Sequence, residues 1–305
     1  MSLPHPNNGP DHGKVVAATI VTNDLAGHAA LYGEYLGYRE EWRGTVPPEL
    51  AALWGAPMAA AAPMAVLRSA AGTESWLRLV EDPGAEPQPA MRTYGWSAME
   101  VAVEDCDALE APFRAGPWEI LGAPADLSFT DAIRAMQVVG PMGEVFYLTV
   151  IKRPVPGFDL PVPEAKIDRL FVQILGCDDA ERARDFYAAL FDVPAGPAFD
   201  AVIRVVNRSH GLPPDHKIRL GTVTLGGKSL VEIDRFPEGT TARPAGPLGL
   251  TPATSVASYY AASLDTIRAD WLAPPARIDL PSWEGRRTGC LLGPAGERVE
   301  LLEIG

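Results

Sequence analysis

Few side chains in this sequence have the type and spacing that catalysis or metal binding requires. His210 and His216 flank a Gly-Leu-Pro-Pro-Asp segment predicted to be a loop, and their spacing does not place them together on a helix or strand. Because histidine titrates near neutral pH, either one would serve as an acid or base if this loop covered a pocket. His28 falls in a predicted helix, and His5 and His12 fall in an N-terminal stretch predicted to be flexible. The histidines therefore predict no shared metal site.

The cysteines also point away from a metal or disulfide framework. Cys106, Cys177 and Cys290 are odd in number and far apart, so neither a set of disulfides nor a Cys-based zinc site is predicted. The sequence contains no P-loop, no dinucleotide-binding glycine fingerprint and no Gly-x-Ser-x-Gly elbow. The common motifs of nucleotide-dependent enzymes and serine hydrolases are therefore missing.

Composition indicates an ordinary globular protein. The chain has 305 residues, of which 47% are hydrophobic and 21% charged, and its length favours two domains. The net charge of −13 disfavours nucleic acid and anionic lipid as partners, because like charges repel. No apolar run approaches the roughly 18 residues of a membrane span, and the N-terminus lacks the order of a signal peptide. We expect a cytoplasmic protein with a small-molecule partner, no nucleic acid and no membrane; a homodimer is left open.

Two hairpins repeat at one offset in the two halves of the chain. The segments 140–144 and 293–297 both read Gly-Pro-x-Gly-Glu, and an apolar run lies on each side of both. Arg134 and Arg287 precede them by the same distance, 153 residues apart (287 − 134). Proline after glycine restricts φ and the second glycine permits a tight turn, so each segment predicts strand, turn and strand.

The beginnings of the halves match as well. Residues 15–22 predict a strand that leads into a helix over 25–36, and 167–175 lead into a helix over 180–191. Tyr32 and Tyr187 occupy equivalent places near the helix ends, 155 residues apart (187 − 32). The proline-rich stretch 152–165 predicts an extended linker. The predicted organisation is a flexible leader at 1–13, a first domain at 14–151, the linker at 152–165 and a second domain at 166–305.

Each half also repeats once internally, which predicts an α+β protein. The order of strand, helix and three strands recurs four times, with the last helix predicted at 263–271. Glu100 lies in the alternating strand 97–103, where it faces either a pocket or solvent.

The ordered phrases resemble those of the vicinal oxygen chelate superfamily, which includes glyoxalase I, bleomycin-resistance proteins and type I extradiol dioxygenases. Asn23-Asp24-Leu25 with Tyr35-Leu36-Gly37 is similar to the family's opening, Asp179 with Phe186-Tyr187 repeats it, and the two hairpin turns are similar to its closing hairpin. The resemblance implies tandem βαβββ modules in two glyoxalase-like domains, each with a curled mixed sheet that forms a half-open cup.

The resemblance also implies where a metal would bind. Metal-using members place two histidines and one glutamate on inward-facing strand positions, which leaves sites open for two substrate oxygens. The corresponding positions here are Ala17, Ser97 or Ala98, and Tyr147 in the first half, and Arg169 or Val172, Ser255 or Val256, and Glu300 in the second. Only Glu300 matches. No cofactor is therefore predicted, and Fe, Mn, Ni or Zn would bind only through ligands displaced from these positions.

Chemistry without a metal would depend on other side chains in the cups. Arg169 and Glu300 are predicted to meet, either as an arginine fork with an acid–base carboxylate or as a salt bridge that fills an old metal site. Tyr147 would hydrogen-bond a ligand or lie in the core. Glu100, Ser255, Tyr259 and Trp96 complete the predicted ligand-binding set.

These observations leave three functions open. The first is a protein that binds a small aromatic or apolar metabolite or antibiotic in a cup without the His/His/Glu triad. The second is an enzyme, namely a lyase, isomerase or extradiol-type dioxygenase, with displaced metal ligands or an Arg169/Glu300 acid–base pair. The third is an interaction module with a vestigial pocket. The alanine-rich stretch 50–65 is predicted to border the first cup.

Overall fold

The computed structural model describes residues 9–305, which form four modules in chain order. Module 1 contains β1 (Val15–Thr22), α1 (Leu25–Leu36), β2 (Tyr38–Thr45), α2 (Pro48–Leu53), β3 (Pro63–Ser69) and β4 (Trp76–Glu81). Module 2 contains β5 (Thr93–Val103), α3 (Cys106–Ala115), β6 (Glu119–Leu127), β7 (Thr130–Val139) and β8 (Val145–Ile151). Module 3 contains β9 (Ile167–Cys177), α4 (Ala180–Leu190), β10 (Ala198–Ala201), α5 (Arg204–His210), β11 (Ile218–Leu225) and β12 (Ser229–Arg235). After β13 (Thr241–Ala242), module 4 contains β14 (Ala253–Ala261), β15 (Ala276–Arg277), β16 (Arg287–Leu292) and β17 (Arg298–Glu303).

The strands form two mixed sheets, and each sheet takes strands from both halves of the chain. One sheet has the order β15-β16-β17-β14-β1-β4-β3-β2, and the other has the order β10-β11-β12-β9-β5-β8-β7-β6. Module 1 thus pairs with module 4, and module 2 pairs with module 3, through antiparallel first strands. We call the concave faces the 1–4 cup and the 2–3 cup. The α+β fold with two curled sheets is confirmed, but the prediction that each half builds its own cup is wrong.

The backs of the two sheets share one core with helices α1, α3 and α4. This core contains Trp96 of module 2 and Tyr259 of module 4, whose ring centroids lie 6.2 Å apart. The indole of Trp96 donates to the carbonyl of Arg298 at 2.8 Å. Arg243, in the segment that joins modules 3 and 4, donates to the carbonyls of Trp96 and Thr254 at 2.8 and 3.0 Å. Burial of apolar area between the sheets therefore holds the modules together.

The repeated hairpins are fixed by a repeated contact between a tyrosine and a glutamate. The hydroxyl of Tyr32 donates to Glu144 at 2.5 Å, and that of Tyr187 donates to Glu297 at 2.6 Å. The other carboxyl oxygen of each glutamate accepts a backbone N–H of its own turn, at 2.9 and 2.8 Å. Burial raises the pKa of Glu297 to about 7. In each half of the chain, the repeated tyrosine therefore hydrogen-bonds the glutamate of the repeated turn.

Removing either tyrosine hydroxyl should weaken the fold. We expect Tyr187→Phe to lower the free energy of unfolding by about 1–3 kcal/mol, because a buried carboxyl of Glu297 loses a hydrogen-bond donor. Urea denaturation would measure the loss. Tyr35→Phe is the matched control, because no hydrogen bond of the Tyr35 hydroxyl is found in the described chain, where its ring packs on Phe113. Equal effects of the two substitutions would contradict a structural role for the Tyr187–Glu297 contact.

Two local predictions differ from the structure. The helix predicted at 263–271 is reduced to a single 3₁₀ turn, Leu264–Thr266, because the following segment pairs with β16: Leu272 donates its backbone N–H to the Cys290 carbonyl at 2.9 Å. His12 is buried rather than flexible, with one ring nitrogen 2.8 Å from the Phe191 carbonyl and the other accepting the Ala262 N–H at 3.0 Å. His5 lies outside the described residues. None of the helices within residues 9–305 is long and apolar enough to cross a membrane.

Candidate functional site

The centres of the two cups are built on equivalent register positions. In the 1–4 cup, Glu300 on β17 neighbours Ser258 on β14, which neighbours Ala17 on β1. In the 2–3 cup the corresponding positions hold Tyr147 on β8, Glu100 on β5 and Val172 on β9. The fourth strands continue this correspondence, since Trp76 neighbours Ala17 and Leu230 neighbours Val172.

One further position on each fourth strand decides the charge of the cup. Side chains two residues apart on a strand lie on the same face. Arg78 therefore faces the 1–4 cup with Trp76, and Glu232 faces the 2–3 cup with Leu230. The two cups therefore differ in the sign of a central charge. Arg78 and Glu232 occupy the same place in the repeated frame.

A buried ion pair fills the centre of the 1–4 cup. Arg78 Nη1 lies 2.5 Å from Glu300 Oε2, and both side chains are 0% exposed. Ser258 donates to the same carboxyl oxygen at 2.7 Å, and the indoles of Trp54 and Trp283 donate to the other at 2.9 and 3.2 Å. The Arg78 guanidinium stacks on the Trp283 ring at 3.5 Å. Burial lowers the pKa of Arg78, and the Glu300 carboxylate opposes that shift.

Inserted segments close the 1–4 cup over this ion pair. The alanine-rich stretch, predicted to border the first cup, forms α2 and a 3₁₀ turn (Pro57–Ala59), and Trp54 at the end of α2 is fully buried. Trp283 enters from module 4 to within 6.3 Å of Trp54, measured between ring centroids. These side chains join an apolar cluster with Ala17, Val256 and Leu302. The 1–4 cup is consequently a packed interior.

The 2–3 cup contains a cavity of about 270 Å³. Its polar lining includes Glu100, Gln137, Tyr147 and Glu232, and α5 covers one side with Val205. A smaller cavity of about 50 Å³ adjoins it and shares Glu100, Glu232 and Phe129 in its lining. Aromatic and aliphatic side chains make up most of the remaining wall of the smaller cavity. They are Phe158, Phe171, Phe199, Ile133, Leu160 and Leu230.

The mouth of the cavity exposes an aromatic pair. Phe129 is 48% exposed and lies edge-on to Phe199, with ring centroids 5.6 Å apart. Exposed large apolar side chains beside a cavity are typical of binding surfaces. Arg204 and Arg208 of α5 also lie at the mouth, where Arg204 donates to the Asp126 carbonyl at 3.2 Å and Arg208 donates to the Leu121 carbonyl.

Carboxyl groups gather at the base of this cavity. Burial raises the pKa of Glu100 to about 7, against a hydrogen bond from Thr149 that lowers it. Burial raises the pKa of Glu232 well above its ordinary range, and the charges of Asp234 and Glu100 raise it further. Burial and then the charge of Glu100 raise the pKa of Asp234 to about 7. Burial therefore makes all three carboxyls harder to ionise, and for Glu232 and Asp234 the charge of a neighbouring carboxylate adds to the effect.

The polar groups of this cup include some without hydrogen-bond partners in the described chain, among them Tyr147 and Asp234. The Tyr147 side chain is only 5% exposed, lines the cavity and makes no hydrogen bond through its hydroxyl. Burial raises the pKa of Tyr147, and the charges of Asp234, Glu232 and Glu100 add to the shift. Both carboxyl oxygens of Asp234 are also without partners in the described chain. Unpaired buried polar atoms are costly, and they are common where a ligand binds.

The structure separates the residues predicted to form one site. Arg169 lies on β9 and Glu300 on β17, in different sheets, so the predicted Arg169–Glu300 pair is wrong. The alternative of a salt bridge in place of a metal describes the 1–4 cup, with Arg78 as the cation. Glu100 and Tyr147 line the 2–3 cavity.

The other predicted ligand-binding residues lie away from that cavity. Tyr259 and Trp96 pack in the core between the sheets. Ser255 accepts hydrogen bonds from the backbone and hydroxyl of Thr251 at 3.2 and 3.3 Å, and it lines a separate cavity of about 50 Å³. His210 donates a ring N–H to the Met91 carbonyl at 2.8 Å.

Three charged residues were missed: Arg78, Glu232 and Asp234. Each interrupts an apolar strand, as in Trp-Leu-Arg-Leu-Val at 76–80 and Val-Glu-Ile-Asp at 231–234. A charge inside such a strand is expensive unless it is paired or functional, so this signal was available in the sequence.

Neither cup offers the donor set of a chelate metal. The Arg78 guanidinium occupies the centre of the 1–4 cup, and the 2–3 cup presents carboxyls and a phenol without histidine. Within residues 9–305, no group of three or more His, Cys, Asp or Glu side chains is arranged to hold a metal ion. The residues described in the two cups do not fit the divalent metal that metal-using members of the resembled family hold.

Comparisons with known proteins identify the fold. No protein-family model and no curated protein matches the chain. Among solved structures, glyoxalase I from Zea mays matches with a TM-score of 0.61 at 16% identity, over 95% of this chain and 92% of that chain. A proposed dioxygenase from Bacillus subtilis matches with a TM-score of 0.63 at 8% identity, over 97% of this chain and 86% of that chain. The chain therefore has the vicinal oxygen chelate fold.

Proposed function

We propose that this protein binds a small aromatic or apolar molecule in the 2–3 cup. The cavity of about 270 Å³ carries the proposal, because it combines apolar walls with a few inward polar groups and an aromatic mouth. The repeated frame strengthens it: the equivalent 1–4 cup is filled by its own tryptophans, whereas the 2–3 cup leaves its centre open. A small-molecule partner, without nucleic acid or membrane, stays a prediction, as does a homodimer.

A thermal-shift screen of aromatic metabolites and antibiotics tests the proposal. A ligand that binds only the folded protein raises the unfolding midpoint. We expect Ala135→Phe to abolish the shift given by any hit, because Ala135 is 2% exposed and lines the cavity, so a phenyl ring would occupy the ligand's place. Ala111→Phe, on the exposed face of α3, is the control for adding the same ring. Shifts that persist in Ala135→Phe would place binding elsewhere and contradict the proposal.

A second candidate is a metal-free lyase or isomerase in the same cup. The observation that favours it is Glu100, whose pKa of about 7 suits a general acid or base at neutral pH. Tyr147 would donate to a ligand oxygen in that case. Incubating each hit with the protein in D₂O and following its C–H signals by NMR separates the candidates, since an enzyme that abstracts a proton would exchange a C–H of the ligand and a binding protein would not.

A further inference from the structure

The two cups differ in how their buried carboxylates are neutralised. In the 1–4 cup, the Glu300 carboxylate is neutralised by Arg78 at 2.5 Å. In the 2–3 cup, the place of Arg78 is taken by Glu232, and Glu100 lies beside Tyr147 in the register. No ion pair joins Glu100, Glu232 or Asp234 to a cation anywhere in the part of the chain that the structure describes. The open cup thus lacks a cation that the closed cup contains.

From this contrast we infer that the ligand of the 2–3 cup is an organic cation, with a protonated amine seated between Glu100 and Glu232 and an aromatic or apolar body toward Phe129. The inference rests on the proposed function and specifies the chemistry of its ligand. An ammonium group is a compact donor of three hydrogen bonds, which matches two carboxylates and leaves the ligand's body to the apolar wall. The unpartnered Tyr147 hydroxyl supplies an additional acceptor within the same cavity.

The cations already near the cup do not fill this role. Arg204 and Arg208 are exposed at the mouth, and their guanidinium groups donate to backbone carbonyls of β6 rather than to the carboxyls. Thr149 donates to Glu100 at 2.8 Å, but a hydroxyl carries no charge. A charge in water at the mouth is screened, whereas an amine at the base of the cavity would be desolvated beside its partners.

Proton linkage gives the inference a second signature. The charged and titratable groups that line the two cavities are Glu100 on β5, Asp126 on β6, Tyr147 on β8, Glu232 on β12, and Arg204 and Arg208 on α5. Asp126 is paired with Lys152 and Arg134, and Asp234 acts on the site through its charge beside Glu232. Burial favours the protonated form of Glu100 and Glu232, and the charges of Asp234 and Glu100 add to this effect at Glu232. A bound cation favours the ionised carboxyls, so its binding must release protons to the buffer.

The experiment uses three ligands that share an aromatic body and differ in charge. These are 2-phenylethylamine, 2-phenylethanol and 3-phenylpropanoate, titrated by calorimetry at pH 7 into the full chain. We expect the amine to bind at least ~10-fold more tightly than the alcohol, and the carboxylate to bind most weakly, because charge-assisted hydrogen bonds are the strong ones. Titration in two buffers of different ionisation enthalpy should show proton release for the amine and none for the alcohol.

A pair of variants locates the effect. Glu232→Gln should reduce the preference for amine over alcohol to within ~3-fold, because it removes one carboxylate. Glu238→Gln makes the same change in net charge at an exposed loop position and should leave the preference intact. The wild-type proton release needs no variant, so it tests the inference even if Glu232→Gln does not fold.

The outcomes separate the inference from the proposed function. Equal affinities for amine and alcohol, or a preference for the carboxylate, would overturn the cation and leave a binding cavity in place. Failure of all three ligands to bind would also overturn the inference. The proposed function is contradicted only if no compound of the wider thermal-shift screen raises the unfolding midpoint either.

Discussion

Replacement of Arg78 by methionine should destabilise the protein by about 3–5 kcal/mol. Arg78 and Glu300 are both 0% exposed, so the substitution leaves a carboxylate buried without its cation. Methionine retains much of the arginine stem and can pack on Trp283, which keeps the loss of apolar contact small. The expected cost is therefore mainly electrostatic, and urea unfolding at neutral pH would measure it.

Two further variants show whether the buried charge is the cause. Arg287→Met removes an arginine from a solvent-exposed pair with Asp265, whose side chains are 32% and 73% exposed, and should cost at most ~1 kcal/mol. Adding Glu300→Gln to Arg78→Met should recover at least about 2 kcal/mol, because the amide oxygen still accepts from Trp54 while the lone charge disappears. If the double variant is no more stable than Arg78→Met, loss of packing rather than loss of charge balance explains the effect.

The Arg78 result would also bear on what each cup does. A tightly paired charge held under two tryptophans has no room to receive a substrate, so the 1–4 cup contributes stability. The same frame in the 2–3 cup contains Glu232 and Glu100 without a cation. Duplication of one scaffold has thus produced a packed cup and an open one, and only the open one is a candidate binding site.

The repeat itself could be predicted from the sequence, but the pairing of modules could not. Local signals mark the hairpins at 140–144 and 293–297, because glycine and proline restrict the backbone wherever they occur. Which first strands pair depends on contacts between distant segments: Ala17 meets Ser258, and Glu100 meets Val172. Local sequence patterns do not report such long-range pairing.

The unpredicted pairing of modules explains why the predicted contact between Arg169 and Glu300 is wrong. When the cups are assigned to halves, the partner of Glu300 must come from the second half, and Arg169 is then the available cation. When modules 1 and 4 pair, β4 enters the cup and Arg78 becomes the partner. The position of Glu300 could therefore be predicted from the repeat, whereas its partner Arg78 depended on the long-range topology.

Glu100→Gln should change how stability depends on pH. Burial raises the pKa of Glu100 in the folded protein from 4.5 to about 7, so the folded state binds more protons than the unfolded state between these values. Its contribution to stability is complete below pH 4.5 and is lost as the pH rises through 7. Glutamine still accepts the hydrogen bond from Thr149 but carries no charge. We expect the variant to equal the wild type at pH 4 and to exceed its free energy of unfolding by about 3 kcal/mol at pH 8.

The difference between the unfolding free energies of variant and wild type at each pH reports the contribution of the Glu100 carboxyl. His12 and the paired Glu144 and Glu297 titrate in both proteins, so their effects cancel in the difference. Glu119→Gln, at an exposed position at the start of β6, makes the same change in net charge and is the matched control. A difference for Glu100→Gln that does not change with pH would mean that Glu100 is solvated, and it would contradict burial of the carboxyls in the 2–3 cup. If the variant's free energy of unfolding exceeds that of the wild type increasingly as pH rises, the Glu100 carboxylate destabilises the fold at neutral pH. Such a cost is common at ligand-binding sites.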